Sequence, residues 1–158
     1  MKYIFYNARI NIFQYEAKWR TTEINTIRSV LKVLNLRNCG LSIKLSNNKD
    51  VKKINLKWKG INKPTNVLSF PNLDNKNKNL CVSTRSYLGD IILAYETLIS
   101  ETKIQKVNFQ NHLSHILIHG VLHLKGFTHY RTEDTKVMQN EEKRLLKNLN
   151  IINPYKTW

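Results

Sequence analysis

The chain has 158 residues and a mass of 18.6 kDa, which is the length of one domain with one hydrophobic core. Its 41% hydrophobic content excludes general disorder, and a formal net charge of +15 favours polyanionic partners, nucleic acid before anionic membrane. The two cysteines, Cys39 and Cys81, form no C-x-x-C pair, which excludes a cysteine-based zinc finger and a dithiol redox motif.

The N-terminal segment contains Asn7, Arg9 and Asn11, which interrupt any signal-peptide apolar stretch, and the chain has no 18-residue apolar run. We therefore expect a cytoplasmic protein that does not associate with membrane.

Apolar periodicity predicts a single α+β domain over residues 1–158, with strands and helices mixed early and helices alone late. In chain order we predict a strand at 3–6, a helix at 22–36, a strand at 41–45, a short helix at 48–56 capped by Asn47 or Asn48, strands at 66–70 and 90–94, and helices at 96–106, 108–125 and 133–150. The polar stretch between the last two strands is long for a compact domain, so we expect a binding or lid loop there.

All five histidines lie between His112 and His129. His119 and His123 are four residues apart, so a helix places both imidazoles on one face. Gly126 can adopt the positive φ that ends a helix, and the chain can then return His129 to the same point. Three imidazoles with one open position suit a single catalytic Zn²⁺ with a coordinated water. We expect supporting or surface roles for His112 and His115, and no organic small-molecule cofactor.

The spacing H-x-x-x-H-x-x-G-x-x-H is also that of the metzincin proteases, which makes a zinc metalloprotease an alternative. Those enzymes carry a glutamate directly after the first histidine as the general base. Gly120 occupies that position here, so peptide hydrolysis by that mechanism is disfavoured.

The run HGVLHLKGFTH resembles the signature of the YbeY family of bacterial endoribonucleases, which take part in ribosomal RNA maturation. Three further segments are similar to the family's pattern: NLKWKGINKPTNVLSFP at 55–71, LGDIILA at 88–94, and a last helix with Met138 and Glu142 before a closing Asn-Pro-Tyr. The resemblance implies a small mixed sheet covered by helices, with His119, His123 and His129 as metal ligands on a helix and its following turn. It also implies single-stranded ribosomal RNA as substrate, in small-subunit 3′ end maturation and ribosome quality control, and the small subunit as partner.

Two positions depart from the family's pattern. Lys59 stands where the family has an arginine thought to contact the substrate phosphate, so Lys59 is the candidate catalytic phosphate contact. Lysine keeps the charge but loses the planar, bidentate fork. Thr128 replaces the aspartate that usually precedes the third histidine, and a threonine cannot provide a carboxylate. These departures leave open an alternative, a ribosome-associated, metal-stabilised RNA-binding factor whose nuclease activity has decayed. Asp90 and Ser69 are further candidates for supporting the site, and Asp90 could equally cap or order the sheet.

Basic residues concentrate before the histidine run. Between Lys44 and Lys63 there are seven lysines and one acid, Asp50. We expect an RNA-binding rim that includes Lys53, Lys57, Lys59 and Lys63, with Trp58 and Trp19 as surfaces on which bases could stack. The alternative is a solvated lysine surface enriched by compositional drift.

Overall fold

The computed structural model describes residues 1–36, 38–72, 86–152 and 154–156. In these residues the strands are β1 (Lys2–Phe5), β2 (Ile10–Gln14), β3 (Cys39–Ser46), β4 (Val67–Pro71) and β5 (Ser86–Ala94). The helices are α1 (Thr21–Leu34), α2 (Asn48–Lys59), α3 (Tyr95–Gln105), α4 (Phe109–Leu124) and α5 (Thr132–Lys147), followed by a short 3₁₀ helix at Pro154–Lys156. Within these ranges, no helix is long and apolar enough to cross a membrane.

The strands form one mixed sheet in the order β1-β2-β3-β5-β4. The interior pairs β2–β3 and β3–β5 are parallel, whereas the outer pairs β1–β2 and β4–β5 are antiparallel. Strand β5 is interior and its last four residues are all buried, as its apolar sequence predicts. Because β4 follows β5 in the strand order, β4 is an edge strand, and it has only five residues.

Helices cover both faces of the sheet. The larger core joins the strands to α1, α4 and α5, and it includes Ile27, Ile43, Ile91 and Leu117. A smaller cluster on the other face joins Val51 of α2 to alternate residues of β4 and β5. Because successive strand residues point to opposite faces, β4 contacts α4 with one set of side chains and α2 with the other.

The α+β fold, with its small mixed sheet covered by helices, confirms the prediction. Eight of the predicted elements match described ones within a few residues at each end. The strand at 90–94 begins earlier than predicted, at Ser86, and β2 was not predicted at all. The predicted loop at 71–89 falls largely on residues 73–85, which lie outside the described residues.

Polar contacts tie the beginnings of α2 and α3 together. The Asn47 side chain caps α2 by accepting from the backbone N–H of Asp50 at 2.9 Å. The Asn48 side chain accepts from the backbone N–H of Thr97 at 3.1 Å, and Glu96 accepts from the backbone N–H of Asn48 at 2.9 Å. Lys18 also contacts Glu96, at 2.9 Å. Partial burial acts to raise the pKa of Glu96, but its hydrogen bonds with Lys18 and Asn48 lower the pKa below its usual value.

The depressed pKa of Glu96 predicts a pH-dependent contribution to stability. The ionised carboxylate stabilises the fold above its unfolded pKa, and this stabilisation is lost as pH falls through the folded pKa. We expect Glu96→Gln to lower the free energy of unfolding by about 0.5–1 kcal/mol at pH 7, because the side chain is partly exposed and screened. Urea unfolding from pH 7 towards pH 3 should show the difference vanish in acid. Glu133→Gln, an exposed acid in the first turn of α5, is the control. A difference that persists unchanged in acid would contradict the assignment.

Candidate metal centre

Helix α4 positions the first two histidines of the motif. It begins at an Asn108 cap, whose side chain accepts from the backbone N–H of Asn111 at 3.1 Å. Apolar side chains such as Leu117 and Val121 are fully buried against the sheet and α1, which orients the helix. His119 and His123 then lie on the same side of the helix, with ring centroids 4.5 Å apart.

The turn after α4 brings the third histidine back to the first two. Gly126 has φ +90°, and the N–H of Phe127 donates to the carbonyl of Leu122 at 3.0 Å. The His129 ring centroid lies 4.9 Å from that of His123 and 5.6 Å from that of His119. The turn at Gly126 therefore forms as the sequence predicts.

The ligand nitrogens of the three histidines converge. One nitrogen from each ring lies within 4.8 Å of the others, so the group could hold a metal ion. The Nε2 atoms of His119 and His123 are 3.0 Å apart. Tetrahedral ligands at bond lengths of about 2.0–2.1 Å would be separated by about 3.3 Å, so these two rings are nearly at a coordinating distance.

Hydrogen bonds on the far sides of the rings define their tautomers. Nδ1 of His119 lies 2.7 Å from a carboxylate oxygen of Glu142, and Nδ1 of His123 lies 3.0 Å from the carbonyl of Phe127. Both partners are acceptors, so each Nδ1 donates a hydrogen bond, and in the neutral form of each ring Nε2 then carries the lone pair that a metal ion requires. Burial and the neighbouring His119 lower the pKa of His123, which favours its neutral form. Two facing lone pairs at this distance repel unless a proton or a metal ion lies between them, and three converging nitrogens fit a metal ion.

Glu142 of α5 is the buried anion of the site. It is 1% exposed, and it contacts His119, His115 and the hydroxyl of Tyr155. Burial acts to raise the pKa of Glu142, but the hydrogen bonds from these three partners lower it to about 2. The carboxylate is therefore ionised at neutral pH. The sequence pattern indicated Glu142 only as part of the last helix, because its role arises from packing between α4 and α5.

Helix α5 also supports the segment that carries the third ligand. The hydroxyl of Thr128 donates to the carboxylate of Asp134 at 3.3 Å. The hydroxyl of Thr135 is 3.3 Å from the carbonyl of His129. A cavity of about 130 Å³ beside the ligands is lined by His119, His129 and residues of α5. The cavity therefore lies between two of the histidines and α5, with Tyr155 also in its lining.

The other two histidines have partners away from the ligand cluster. Nε2 of His112 lies 2.7 Å from the Glu101 carboxylate of α3. Nε2 of His115 lies 3.4 Å from Glu142 and 3.2 Å from the Tyr155 hydroxyl. His115 thus contacts the carboxylate that holds a ligand, whereas His112 connects α4 to α3.

Ser69 and Asp90 differ in their relation to the site. The hydroxyl of Ser69 donates to the carbonyl of Gly120 at 3.2 Å, which ties β4 to α4 between the two ligands. Asp90 is exposed on β5 and accepts from the hydroxyl of Tyr87 at 2.7 Å. A Cβ atom at Gly120 would lie 3.1 Å from Ser69 Oγ, so the position after the first histidine faces the sheet. A general base of the metzincin kind is therefore absent from this position.

The four RNA-binding lysines predicted from sequence all lie on α2 or the segment after it, and all are exposed: Lys53, Lys57, Lys59 and Lys63. Within residues 1–36, 38–72, 86–152 and 154–156, no described contact joins Lys59 to the histidines, because α2 lies on the other face of the sheet. Trp58 is 66% exposed, as a stacking surface requires. The same prediction for Trp19 was wrong, because Trp19 is 2% exposed and donates its indole N–H to the carbonyl of Ser46 at 3.0 Å.

The fold and the site together define a class: a small α+β domain whose three-histidine cluster lies on one helix and the turn after it. The sequence model of the family described as Endoribonuclease YbeY matches residues 6–150. The chain belongs to this family. The predicted resemblance is thereby confirmed, and family membership argues against the protease alternative.

Individual relatives agree with the family assignment. The chain is 37% identical over 131 residues to the endoribonuclease YbeY of Bartonella henselae, covering 82% of this chain and 81% of the relative. It is 34% identical to that of Bartonella quintana, covering 92% and 96%. It is 43% identical to that of Nitrobacter hamburgensis over 73% of this chain, but this match spans only 60% of the relative. The solution structure of TM1509 from Thermotoga maritima is similar in fold, with a TM-score of 0.61, 21% identity, and coverage of 88% and 86%.

The contact between Glu142 and His119 predicts an effect on metal affinity. We expect Glu142→Gln to weaken Zn²⁺ binding about 10–100-fold, because a neutral amide neither stabilises the N–H of His119 nor raises the basicity of its Nε2. Competition with a chromophoric chelator would measure the affinity.

Glu141→Gln is the matched control. Glu141 is adjacent on α5, but its carboxylate pairs with Arg144 at 2.6 Å at the surface. Equal losses in the two variants would show that the effect is a general one of charge on α5.

Proposed function

We propose that this protein is a zinc-dependent endoribonuclease that cleaves single-stranded RNA and acts in the cytoplasm. Its proposed role is ribosomal RNA processing, including 3′ end maturation of the small-subunit RNA, and ribosome quality control, with the small subunit as partner. The observation that carries the proposal is the cluster of three convergent histidine nitrogens in a chain of the endoribonuclease YbeY family. Zinc is favoured over other ions because three imidazoles and one open position match its tetrahedral preference.

When bound, the ion would supply Lewis acidity and a water of lowered pKa. The residues of the chain have separable roles around it. His119, His123 and His129 would hold the ion, and Glu142 and the Phe127 carbonyl accept at Nδ1 of two of the rings, which leaves Nε2 for coordination. Because Glu142 is buried and engaged by three donors, we assign it to positioning rather than to proton transfer with substrate.

The exposed surface of α2 is the proposed approach path for RNA. The Trp58 ring contacts Phe70 of β4 at a centroid distance of 6.2 Å, edge on, while remaining mostly exposed. Ser69, the preceding residue of β4, contacts Gly120 between two of the ligands. Adjacent residues of the edge strand thus contact α2 on one face of the sheet and α4 on the other. This arrangement supports a path for single-stranded RNA from α2 across β4 to the histidines.

The lysines and Trp58 have complementary chemistry along this path. Lysine ammonium groups attract phosphates without reading sequence, and an exposed indole can stack on an unpaired base. Lys57 lies over the Trp58 ring, with Nζ 5.5 Å from the centroid. We propose Lys59, at the end of α2 nearest this ring, as the phosphate contact that serves the reaction.

An alternative is the RNA-binding factor with decayed nuclease activity. Thr128 favours this alternative, because it places a hydroxyl beside His129 where the family pattern has a carboxylate. The carboxylate that bonds to this hydroxyl belongs to Asp134 of α5.

The proposal predicts that RNA cleavage depends on the histidine cluster. With zinc-loaded protein and end-labelled RNA, we expect His123→Ala to reduce cleavage of single strands at least about 100-fold. His112→Gln, which changes an α4 histidine bonded to Glu101, should retain cleavage. Binding without cleavage in the unsubstituted protein would favour the decayed factor. Cleavage that survives in the His123 variant would contradict the proposed site.

The proposed basic surface predicts a salt dependence for RNA affinity. If Lys53, Lys57, Lys59 and Lys63 each contact one phosphate, log affinity should fall with log salt at a slope of about −2.8, or about −0.7 for each contact. Lys59→Ala should reduce the steepness by about 0.7. Lys32→Ala removes an exposed charge from α1, on the other side of the sheet, and should leave the slope unchanged. Equal effects of the two variants would indicate a response to net charge alone.

A further inference from the structure

The C-terminal segment contacts the metal centre through Tyr155. This residue lies in the short 3₁₀ helix that follows α5, and its hydroxyl donates to Oε2 of Glu142. The other carboxylate oxygen, Oε1, lies 2.7 Å from Nδ1 of His119. A single buried carboxylate therefore connects the C-terminal tyrosine to a ligand histidine.

Glu142 needs the donor that Tyr155 provides. A buried carboxylate is stable only when its oxygens accept hydrogen bonds. Without the Tyr155 hydroxyl, Oε2 would retain its contact with Nε2 of His115, at the longer distance of 3.4 Å. Burial and the adjacent Glu142 raise the pKa of Tyr155, so the phenol remains a donor at neutral pH.

His115 completes the same group. It lies one helical turn before His119 on α4, and its Nε2 is 3.2 Å from the Tyr155 hydroxyl. Its ring meets the tyrosine ring edge on, at a centroid distance of 5.5 Å. Tyr155 is thus held by α4 as well as α5, which gives its hydroxyl a defined direction towards Glu142.

We propose that Tyr155 is a positioning residue for the metal centre. Through Glu142 it fixes the orientation and basicity of His119, so that docking of the C-terminal segment and metal binding strengthen each other. The inference rests on the metal centre of the proposed function but not on its RNA chemistry.

The test is Tyr155→Phe, which removes the hydroxyl and keeps the ring. We expect Zn²⁺ affinity, measured by chelator competition, to fall about 10-fold, and the visible spectrum of the Co²⁺-loaded protein to change as His119 reorients. Tyr3→Phe is the matched control, because it removes an exposed hydroxyl that bonds to Asn11 at 3.0 Å. It should alter neither readout.

A double-mutant cycle tests whether Tyr155 acts through Glu142. In a Glu142→Gln background, Tyr155→Phe should change Zn²⁺ affinity by less than about two-fold, since the pathway is already broken. Additive losses would overturn the inference, as would a lower melting temperature with unchanged affinity and Co²⁺ spectrum.

A second variant covers the case in which Tyr155→Phe does not fold. His115→Gln weakens the same group from α4, and we expect it to lower Zn²⁺ affinity at least about three-fold. The control is His112→Gln, and equal affinities in these two variants would overturn the inference.

Zinc binding that depends on Tyr155 in a protein that cleaves no RNA would overturn the proposed function alone. Absence of zinc binding by the unsubstituted protein would overturn both.

Discussion

The candidate metal centre depends on one constraint: the Nε2 atoms of two imidazole rings face each other at 3.0 Å. The acceptors behind the rings, a buried carboxylate and a backbone carbonyl, hold the proton of each neutral ring at Nδ1, so two neutral rings repel each other at Nε2. A cation converts the same arrangement from repulsive to attractive. Glu142 and the Phe127 carbonyl therefore orient the rings for an ion without coordinating it themselves.

Helix α5 provides most of that organisation and none of the ligands. Glu142 holds His119, while Asp134 and Thr135 hold the turn that carries His129. On its opposite side α4 is fixed by the sheet, where the absence of a side chain at Gly120 allows close contact with Ser69 and Val67. The ligands are therefore positioned between a rigid sheet and a supporting helix, so a shift of α5 would move two of the three.

The histidine cluster was predictable because its geometry is local. The four-residue spacing of His119 and His123 and the glycine turn before His129 determine where the three side chains can meet. Both features can be identified in the sequence. The Glu142 network was not predictable from pattern, since His115 and Tyr155 are 40 residues apart in the chain and meet only through tertiary packing. Strand β2 was not predicted because it has only five residues. Its alternating apolar residues, Ile10 and Ile12, are too few to establish a period of two. The prediction for Trp19 was wrong because its indole N–H donates to a backbone carbonyl in the core, a tertiary contact that the sequence does not show.

The two departures from the family pattern affect different parts of the site. Thr128 changes a residue beside a ligand, yet its hydroxyl bonds to Asp134, so the turn retains a link to a carboxylate on α5. The three histidines, and the acceptors that orient His119 and His123, are retained. Lys59, by contrast, is on the other face of the sheet, where the proposed contact is with substrate. A point charge on a flexible stem holds a phosphate less rigidly than a guanidinium fork does. Both changes should therefore affect the rate of cleavage more than the occupancy of the metal centre.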